Sequence, residues 1–388
     1  RDFTINALAV KLNKDLDVLN LQIIDKTNGL KDLQAKRVSV IAEKAFLDDP
    51  LRLLRAFRIA AKYQFKIDTE TLNFIKKHSK FINKSSRERI HDEIVKLFSY
   101  PDIFKYIILM DETELLENIF DCIAFMKQHN DNYFHKLGLW GHSLEVLFCF
   151  EFILRNLDKL FGEEHLKLFL NVQDDLANLK LAALFHDLGK PETFSFANEK
   201  IHFINHDVVG ADKIQKMLKK MKFSKKEIKN ISNVALLHMQ TGNLLKECNI
   251  SQKACFRFFK RSEGFGLHLF LFSLADWLAS IRGVNNIDYS RKILLREFKY
   301  PDFVHCLKSI GQLLDWYLEK LNEKKIIHLL NGNDIMERFS EIKPSKFLGE
   351  ILNKLEEAQL TGKVKTKKAA YKFVEGLLKK NAEKNKKK

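Results

Sequence analysis

The sequence contains no Cys-x-x-Cys pair: its five cysteines, Cys122, Cys149, Cys248, Cys255 and Cys306, stand apart from one another. This scatter offers no paired thiolate metal site, and it fits a reducing compartment, the cytosol, better than a disulfide framework. No apolar run reaches the length of a bilayer-spanning helix and no signal peptide opens the chain, so a membrane or secreted class finds no support. Acidic residues are outnumbered, 50 against 66 lysines and arginines, giving a formal charge of +16 and a pI near 9.4. Such an imbalance implies a polyanionic partner, with RNA the natural candidate. Part of the excess sits in the closing KKNAEKNKKK, read as a disordered basic end, so charge alone is weak support. The rest is globular material: 388 residues, 46% hydrophobic and 30% charged, enough for two or three domains with a sizeable core.

The chain is organised around LDDPLRLLRAFRIAAKYQFKID, Leu47 to Asp68. Asp49 followed by Pro50 predicts a helix start, with the carboxylate at the N-cap and proline at the first helical position. Leu53, Leu54, Phe57, Ile59, Ala60 and Ala61 then supply a broad apolar face, and Arg52, Arg55 and Arg58 form a row along one side. Such a row is ordinarily a solvated face, with Asp49 merely a cap. The alternative is chemical. Asp49 and Arg52, three residues apart on the first turn, can present acceptors and a donor fork side by side. Cytosine and adenine offer an exocyclic amine beside a ring acceptor, whereas guanine and uracil offer a carbonyl beside a ring N–H. One carboxylate with one guanidinium therefore suits C and A and rejects G and U.

DDPLRLLRAFRIAAKYQF resembles the arginine-rich motif of class II tRNA nucleotidyltransferases (CCA-adding enzymes) and the related bacterial poly(A) polymerases. The family form is Glu-Asp-Pro-x-Arg-x-x-Arg-Ala-x-Arg-Phe-Ala; here Asp48 stands for Glu and Ile59 for Phe. The resemblance implies that Asp49 and Arg52 read the incoming base, with Arg55 and Arg58 in the same nucleotide site. RDFTINAL, Arg1 to Leu8, resembles the family's Arg-Arg-Asp-Phe-Thr-x-Asn-Ala, which holds the sugar and phosphates of the nucleotide. Arg1, Asp2 and Asn6 inherit that role. Asp accepts from ribose hydroxyls while Arg and Asn donate to oxygens.

DVLNLQIID, Asp17 to Asp25, alternates as a strand, Thr27-Asn28-Gly29 marks a turn, and RVSVI, Arg37 to Ile41, is a second strand. Asp25, Gly29 and Asp32, with Arg37 beyond, match the family's next motif. These pieces read as the end of an α/β nucleotidyltransferase head. In the family its Mg2+ is held by an Asp-x-Asp pair after a Gly-Gly loop; this sequence has no Gly-Gly loop, and that motif is expected upstream. Because the chain opens on Arg1 inside a motif, it is expected to be a fragment, unable to transfer a nucleotide by itself. SSRERIHDEIVKLF, Ser85 to Phe98, predicts a helix capped by Ser85 or Ser86. Arg87, Glu88 and Arg89 match the family's Arg-Glu-Arg-Ile, which buttresses the base-reading helix. The PDIFKYIILMDETELLENIF stretch that follows Tyr100 reads as helical core.

A second chemistry lies further on. His142 falls in LGLWGHSLEVL, His186 and Asp187 in LAALFHDLGKPETF, His206 in FINHDVVGADKI, His238 in VALLHMQ and Asp276 in LFSLADWLAS. A single histidine on an apolar helix is usually a core or surface residue. Adjacent His186 and Asp187 at a helix end are different, since the imidazole can bind one metal while the carboxylate bridges to a second. The ordered set His142, His186-Asp187, Asp276 resembles the HD phosphohydrolase superfamily over about 140 residues, the size of a typical domain. His206 and His238 add the ligands expected of its metal-dependent, phosphatase-like members. Imidazole and carboxylate suit Mn2+, Ni2+, Fe2+ or Mg2+ better than a thiolate-type zinc site. Lys190 reads equally as a phosphate contact or a surface lysine, and His135 has no assigned role. HD domains of this kind occur on tRNA nucleotidyltransferases, associated with phosphatase and cyclic phosphodiesterase activity.

The end of the chain resembles the family's tail, with Pro344-Ser345-Lys346 in place of Pro-Gly-Pro, and Gly349 kept. Lys363, Lys365, Lys367 and Lys368 are either RNA-backbone contacts or a solvated helix face. The expected fold is mainly α: residues 1–43 the end of the α/β head, 44–133 a helical neck and body, 134–290 an all-helical HD domain, 291–388 a helical tail. The expected function is CCA addition to tRNA from CTP and ATP, in the cytoplasm, with HD phosphohydrolase activity. Alternatives are a poly(A) polymerase, a CC- or A-adding partial enzyme, or a metal phosphohydrolase with an RNA-binding remnant.

Overall fold

A computed structural model gives the fold of residues 1–11, 22–129, 137–197, 200–247, 249–282, 300–322, 329–360 and 362–386. The chain divides into two compact units, Arg1–Gly242 with Leu267–Phe303, and Asn243–Gly266 with Val304–Lys388. Both are predominantly helical. Among the described residues no single helix is long and apolar enough to cross a membrane.

The first unit opens on very short strands. Ala9–Val10 pairs antiparallel with Ile23–Ile24, and Arg37–Val38 pairs parallel with Lys66–Ile67. Most of the strand expected from Asp17 lies outside the described residues. Two-residue ladders hold little by themselves, and polar side chains do the fastening. The Asp25 carboxylate accepts from the backbone N–H of Thr27, Gly29 and Leu30 at 3.1, 2.9 and 3.0 Å. Asp32, buried, accepts from Thr4 Oγ1 at 2.6 Å and pairs with Arg37. Gly29 is required by closeness: a Cβ there would lie 2.3 Å from the Thr4 carbonyl oxygen. Asp25, Gly29 and Asp32 thus brace the Arg1–Leu8 segment from behind.

The arginine-rich helix spans Arg52–Tyr63, starting two residues later than expected. Asp49, Pro50 and Leu51 form a tighter turn, in which the N–H groups of Arg52, Leu53 and Leu54 bond three residues back, at 3.0–3.1 Å. Asp49 still acts as a local cap, accepting from Leu51 N–H at 3.3 Å. The helix buries Leu53, Leu54, Ala56, Phe57, Ile59, Ala60 and Ala61, largely against Arg87–Ser99. Each large side chain so buried contributes about 1.5–3 kcal/mol. The Arg87–Ser99 helix has Ser86 at its N-cap, but neither expected serine makes a side-chain capping bond there.

Arg87–Ser99 packs in turn on Leu176–Phe185, and that helix on Gly138–Arg155. Leu176–Phe185 is apolar all round and buried at every position from Ala177 onward, as a central helix must be. Its one lysine, Lys180, is 1% exposed and pairs at 2.7 Å with Glu151 on Gly138–Arg155. Gly266–Arg282 supplies Leu269, Phe270, Leu271, Phe272 and Leu274 to the same core. The region is not all-helical: a hairpin of Phe194–Ala197 and Lys200–Phe203 interrupts it, corrected here because FSFANEKIHF carries the alternation of a ribbon.

In the second unit, Gly332–Arg338, Lys346–Leu360 and Lys367–Lys386 close over Ile335, Leu348, Ile351, Leu355, Val364, Ala370 and Val374. Asn331 and Asp334 form a reciprocal capping box at 2.9 and 2.8 Å. The last helix runs through Lys386, where a disordered basic end was expected.

Candidate functional site

Two clusters of chemistry-bearing side chains occupy the first unit. The first joins the opening segment to the arginine-rich helix. Asp2, 5% exposed, forms an ion pair with Arg55 at 2.8 Å, and its other oxygen accepts from Asn6 Nδ2 at 2.8 Å. Asn6 Oδ1 accepts in turn from Phe3 N–H. Arg58 pairs with Glu93 on the Arg87–Ser99 helix, and Arg52 donates to the Ala45 carbonyl at 3.1 Å. The arginine row is therefore turned inward, not a solvated face. Arg1 is exposed.

The Asp49 carboxylate does not hydrogen-bond Arg52; it accepts from Arg89 at 2.8 Å. Burial pushes this carboxyl up, but the Arg89 hydrogen bond and charge, with lesser help from Leu51 N–H and Arg52, hold it below the ordinary carboxylate range. It is ionised at neutral pH. The Nε atoms of Arg52 and Arg55 are buried and have no hydrogen-bond partner among the described residues. Unpaired buried donors of this kind are costly. Arg89 was read from sequence only as a buttress; forty positions from Asp49, the pairing has no local signature.

The second cluster is assembled from five segments. His142 comes from Gly138–Arg155, His186 and Asp187 from the end of Leu176–Phe185, His206 from the first position of His206–Lys220, His238 from Lys225–Leu245 and Asp276 from Gly266–Arg282. All are buried except Asp276, which is partly exposed. Their ligand atoms form two groups, His142 with His186 and Asp276, and Asp187 with His206 and His238, each within 4.8 Å. Asp187 spans both. Its Oδ2 lies 3.2 Å from His186 Nε2 and 3.8 Å from His142 Nε2, while Oδ1 lies 3.6 and 3.7 Å from His206 and His238 Nε2. Asp187 therefore lies between the two groups, one oxygen toward each.

Backbone carbonyls orient the rings. His186, His206 and His238 direct Nδ1 at the carbonyls of Ala183, Phe203 and Ala235 at 3.1, 2.7 and 2.6 Å. Donation there commits the proton to Nδ1 and leaves each Nε2 a lone pair aimed inward. His206 and His238 Nε2 consequently face each other at 3.3 Å as two acceptors. His186 Nε2 and Asp187 Oδ1 have no hydrogen-bond partner among the described residues. Buried imidazole nitrogens and carboxylate oxygens converging in this way fit a divalent cation. Burial pushes the His238 imidazole down to about 4, so it is neutral and ready to ligate. Burial raises Asp276, but the His142 hydrogen bond and nearby imidazole charge hold it far below the ordinary range.

Gly189 allows the close approach that brings His206 to Asp187. A Cβ there would stand 2.1 Å from the His206 carbonyl oxygen and 2.6 Å from Gly210 N. Lys190 is neither a free surface lysine nor an unengaged phosphate contact: its Nζ sits 2.5 Å from Asp187 Oδ2. His135 lies outside the described residues. Of the tail lysines, Lys363, Lys365 and Lys368 are exposed, and Lys367 pairs with Asp334 at 3.0 Å.

Two family descriptions match parts of the chain. Residues 64–126 match the family described as the probable RNA and SrmB-binding site of polymerase A, and residues 139–280 match the HD domain. The chain is 26% identical to the CC-adding tRNA nucleotidyltransferase of Thermus thermophilus over 96% of its own length and 75% of the relative's. It is 25% identical to the A-adding tRNA nucleotidyltransferase of Deinococcus radiodurans, covering 97% of this chain and 77% of that one. A shorter match, 44% identical over 26% of this chain and 24% of the relative, is to the CCA-adding enzyme of Streptococcus uberis. Among solved structures, a CCA-adding enzyme with ATP superposes at a TM-score of 0.57 with 19% identity, covering 98% of this chain and 71% of that one. At that identity the likeness speaks for the fold. The chain therefore matches an RNA-binding segment of the polymerase A type and an HD domain, and is similar along nearly its whole length to CC- and A-adding tRNA nucleotidyltransferases.

Proposed function

We propose that the protein serves tRNA 3′-end maturation, with a neck that selects C and A from CTP and ATP and an HD site that hydrolyses phosphoesters. The nucleotidyl half is carried by one observation: the Arg1–Leu8 segment and the arginine-rich helix meet through the Asp2–Arg55 pair. That contact brings the proposed ribose- and phosphate-binding Arg1, Asp2 and Asn6 together with the proposed base-reading Asp49 and Arg52. Arg89 positions the Asp49 carboxylate, and Arg55 and Arg58 hold the helix through Asp2 and Glu93. Phosphoryl transfer in such enzymes draws on Mg2+ held by paired carboxylates, and the sequence contains no Gly-Gly loop followed by Asp-x-Asp. The tail lysines are proposed backbone contacts for tRNA. We place the protein in the cytoplasm.

The HD half rests on the donor set itself. His142, His186, Asp187, His206, His238 and Asp276 would hold a pair of divalent ions, of which Mn2+, Ni2+ and Mg2+ suit the ligands. Bound there, such ions polarise a phosphoryl group and make hydroxide available near neutral pH. The chain's own contribution is orientation. Carbonyl-anchored imidazoles fix the geometry, Asp187 ties the two groups together, and Lys190 stands where a phosphate oxygen could take over its charge from Asp187.

A second reading of the transferase is favoured by the relatives that match along nearly the whole chain. One is CC-adding and the other A-adding, so a partial enzyme, with a partner completing the CCA end, stands beside full CCA addition. Single-nucleotide incorporation with each of the four NTPs, in a chain carrying the carboxylate-bearing head, tests the base-reading role. Asp49→Ala and Arg52→Ala should each lose C and A preference by about 1–3 kcal/mol of discrimination while tRNA binding is kept. Unchanged preference in both would reduce Asp49 to a helix cap.

A further inference from the structure

The hairpin between Asp187 and His206 has no part in the chemistry above. Its register sets Phe194 opposite Phe203 and Phe196 opposite Ile201. Alternation along a strand therefore places Phe194, Phe196, Ile201 and Phe203 on one face. Ser195, Ala197 and His202 take the other, where the Ser195 hydroxyl donates to the His202 carbonyl. An apolar face on a two-stranded ribbon ordinarily packs against a core. Here Ile201 is buried, but Phe194 is 47% exposed and Phe196 66%.

This face begins at the ligand cluster. The Phe203 ring is 6.5 Å from the His206 ring, edge-on, and 6.1 Å from the Phe194 ring. Lys190 Nζ lies 5.7 Å from the centre of Phe203 and 2.5 Å from Asp187 Oδ2. An ammonium suited to a phosphate oxygen, a cluster suited to a phosphoryl group and a run of phenyl rings thus follow one another outward. Connectivity fixes the order: the chain leaves Asp187 through Lys190–Thr193 into the hairpin, and returns from Phe203 to His206.

We propose that the Phe194–Phe196 face is a platform for the base of a nucleoside phosphate whose phosphate lies at the HD cluster. The proposal deepens the phosphohydrolase reading and rests on it. A phosphoester without a planar group would leave both exposed rings in water. A base covers them, because every nucleobase has a face to stack. A free nucleotide and the 3′-terminal nucleotide of an RNA share this chemistry.

The test is the double variant Phe194→Ala with Phe196→Ala, which removes exposed rings and leaves buried Ile201 in place. The probes are adenosine 2′,3′-cyclic phosphate, a short single-stranded RNA ending in a 2′,3′-cyclic phosphate, and β-glycerophosphate. Equilibrium binding is read with and without Mn2+, and KM and kcat with it. Loss of base stacking should weaken the nucleoside probes on the order of tenfold. It should appear in Kd and KM, with kcat unchanged and β-glycerophosphate unaffected. Loss with the mononucleotide identifies free nucleotides as sufficient; loss confined to the RNA identifies its terminal segment. Equal affinity of wild type and variant for both nucleoside probes overturns the platform, as does an equal loss for β-glycerophosphate. If wild type hydrolyses nothing but the variant still loses base-dependent binding, the phosphohydrolase reading fails and the platform stands.

Discussion

Glu151→Ala should be among the most damaging single changes in the first unit. Glu151 and Lys180 are 3% and 1% exposed and meet at 2.7 Å. Glu151 also accepts from the N–H groups of Ile103 and Phe104 at 2.8 and 3.1 Å, at the start of Phe104–Glu112. Lys180 donates to the Tyr100 carbonyl at 2.6 Å, just past the end of Arg87–Ser99. The pair therefore closes two helix ends and ties Arg87–Ser99 and Phe104–Glu112 to the helices that bear His142 and His186. Burial lowers the Lys180 ammonium, and Glu151 is what opposes that shift. Removing the carboxylate strands a buried charge and two helix-start donors, a loss of about 3–5 kcal/mol. Replacing both partners, as Glu151→Leu with Lys180→Met, removes the stranded charge and should cost clearly less, although the helix-start donors stay unpaired. Urea denaturation followed by circular dichroism reads the difference. A Glu151→Ala midpoint within about 1 kcal/mol of wild type would refute the reasoning.

Acid should act through depressed carboxylates. Burial raises Asp32 and Asp49, but hydrogen bonds from Thr4 and Arg37, and from Arg89, bring both below the ordinary range. The unfolded chain then binds more protons as pH falls, so their stabilisation is complete above about pH 4 and is lost as pH drops through the folded values. The midpoint difference between wild type and the Arg37→Ala, Arg89→Ala double variant should be constant from neutrality to about pH 5 and shrink below about 4; a difference that does not change with pH would count against both pairs. Affinity for tRNA should fall steeply with salt, because each phosphate contact releases counterions. A binding constant flat between low and physiological salt would remove the basic surface from RNA recognition.

Much of the HD cluster was legible in the sequence, because His186-Asp187 at a helix end and single ligands on apolar helices are local patterns. What those patterns do not hold is distance. Arg89 meets Asp49, Arg55 meets Asp2, and Glu151 meets Lys180 across long stretches of chain, and no window contains both partners. Lys180 in an apolar helix read as nothing at all until its partner was placed. The start of the arginine-rich helix moved because the proline turn continues as a tighter turn before the helix settles at Arg52. The two-residue strands near the start are shorter than any alternation can reveal. The hairpin does alternate, yet it lies inside a helical motif and was passed over. Gly189 has no sequence signature for its role, which is to let the His206 helix approach to where a side chain would collide.

The most direct measurement is hydrolysis by the purified chain, stripped of metal and resupplied with Mn2+, Ni2+ or Mg2+, beside Asp187→Ala. Asp187 reaches both ligand groups, so its loss should abolish turnover with every metal. The expected result is metal-dependent cleavage of adenosine 2′,3′-cyclic phosphate by the wild type and none by the variant. A folded wild-type chain that turns over no phosphoester with any of these metals would contradict the assignment of these six residues to catalysis.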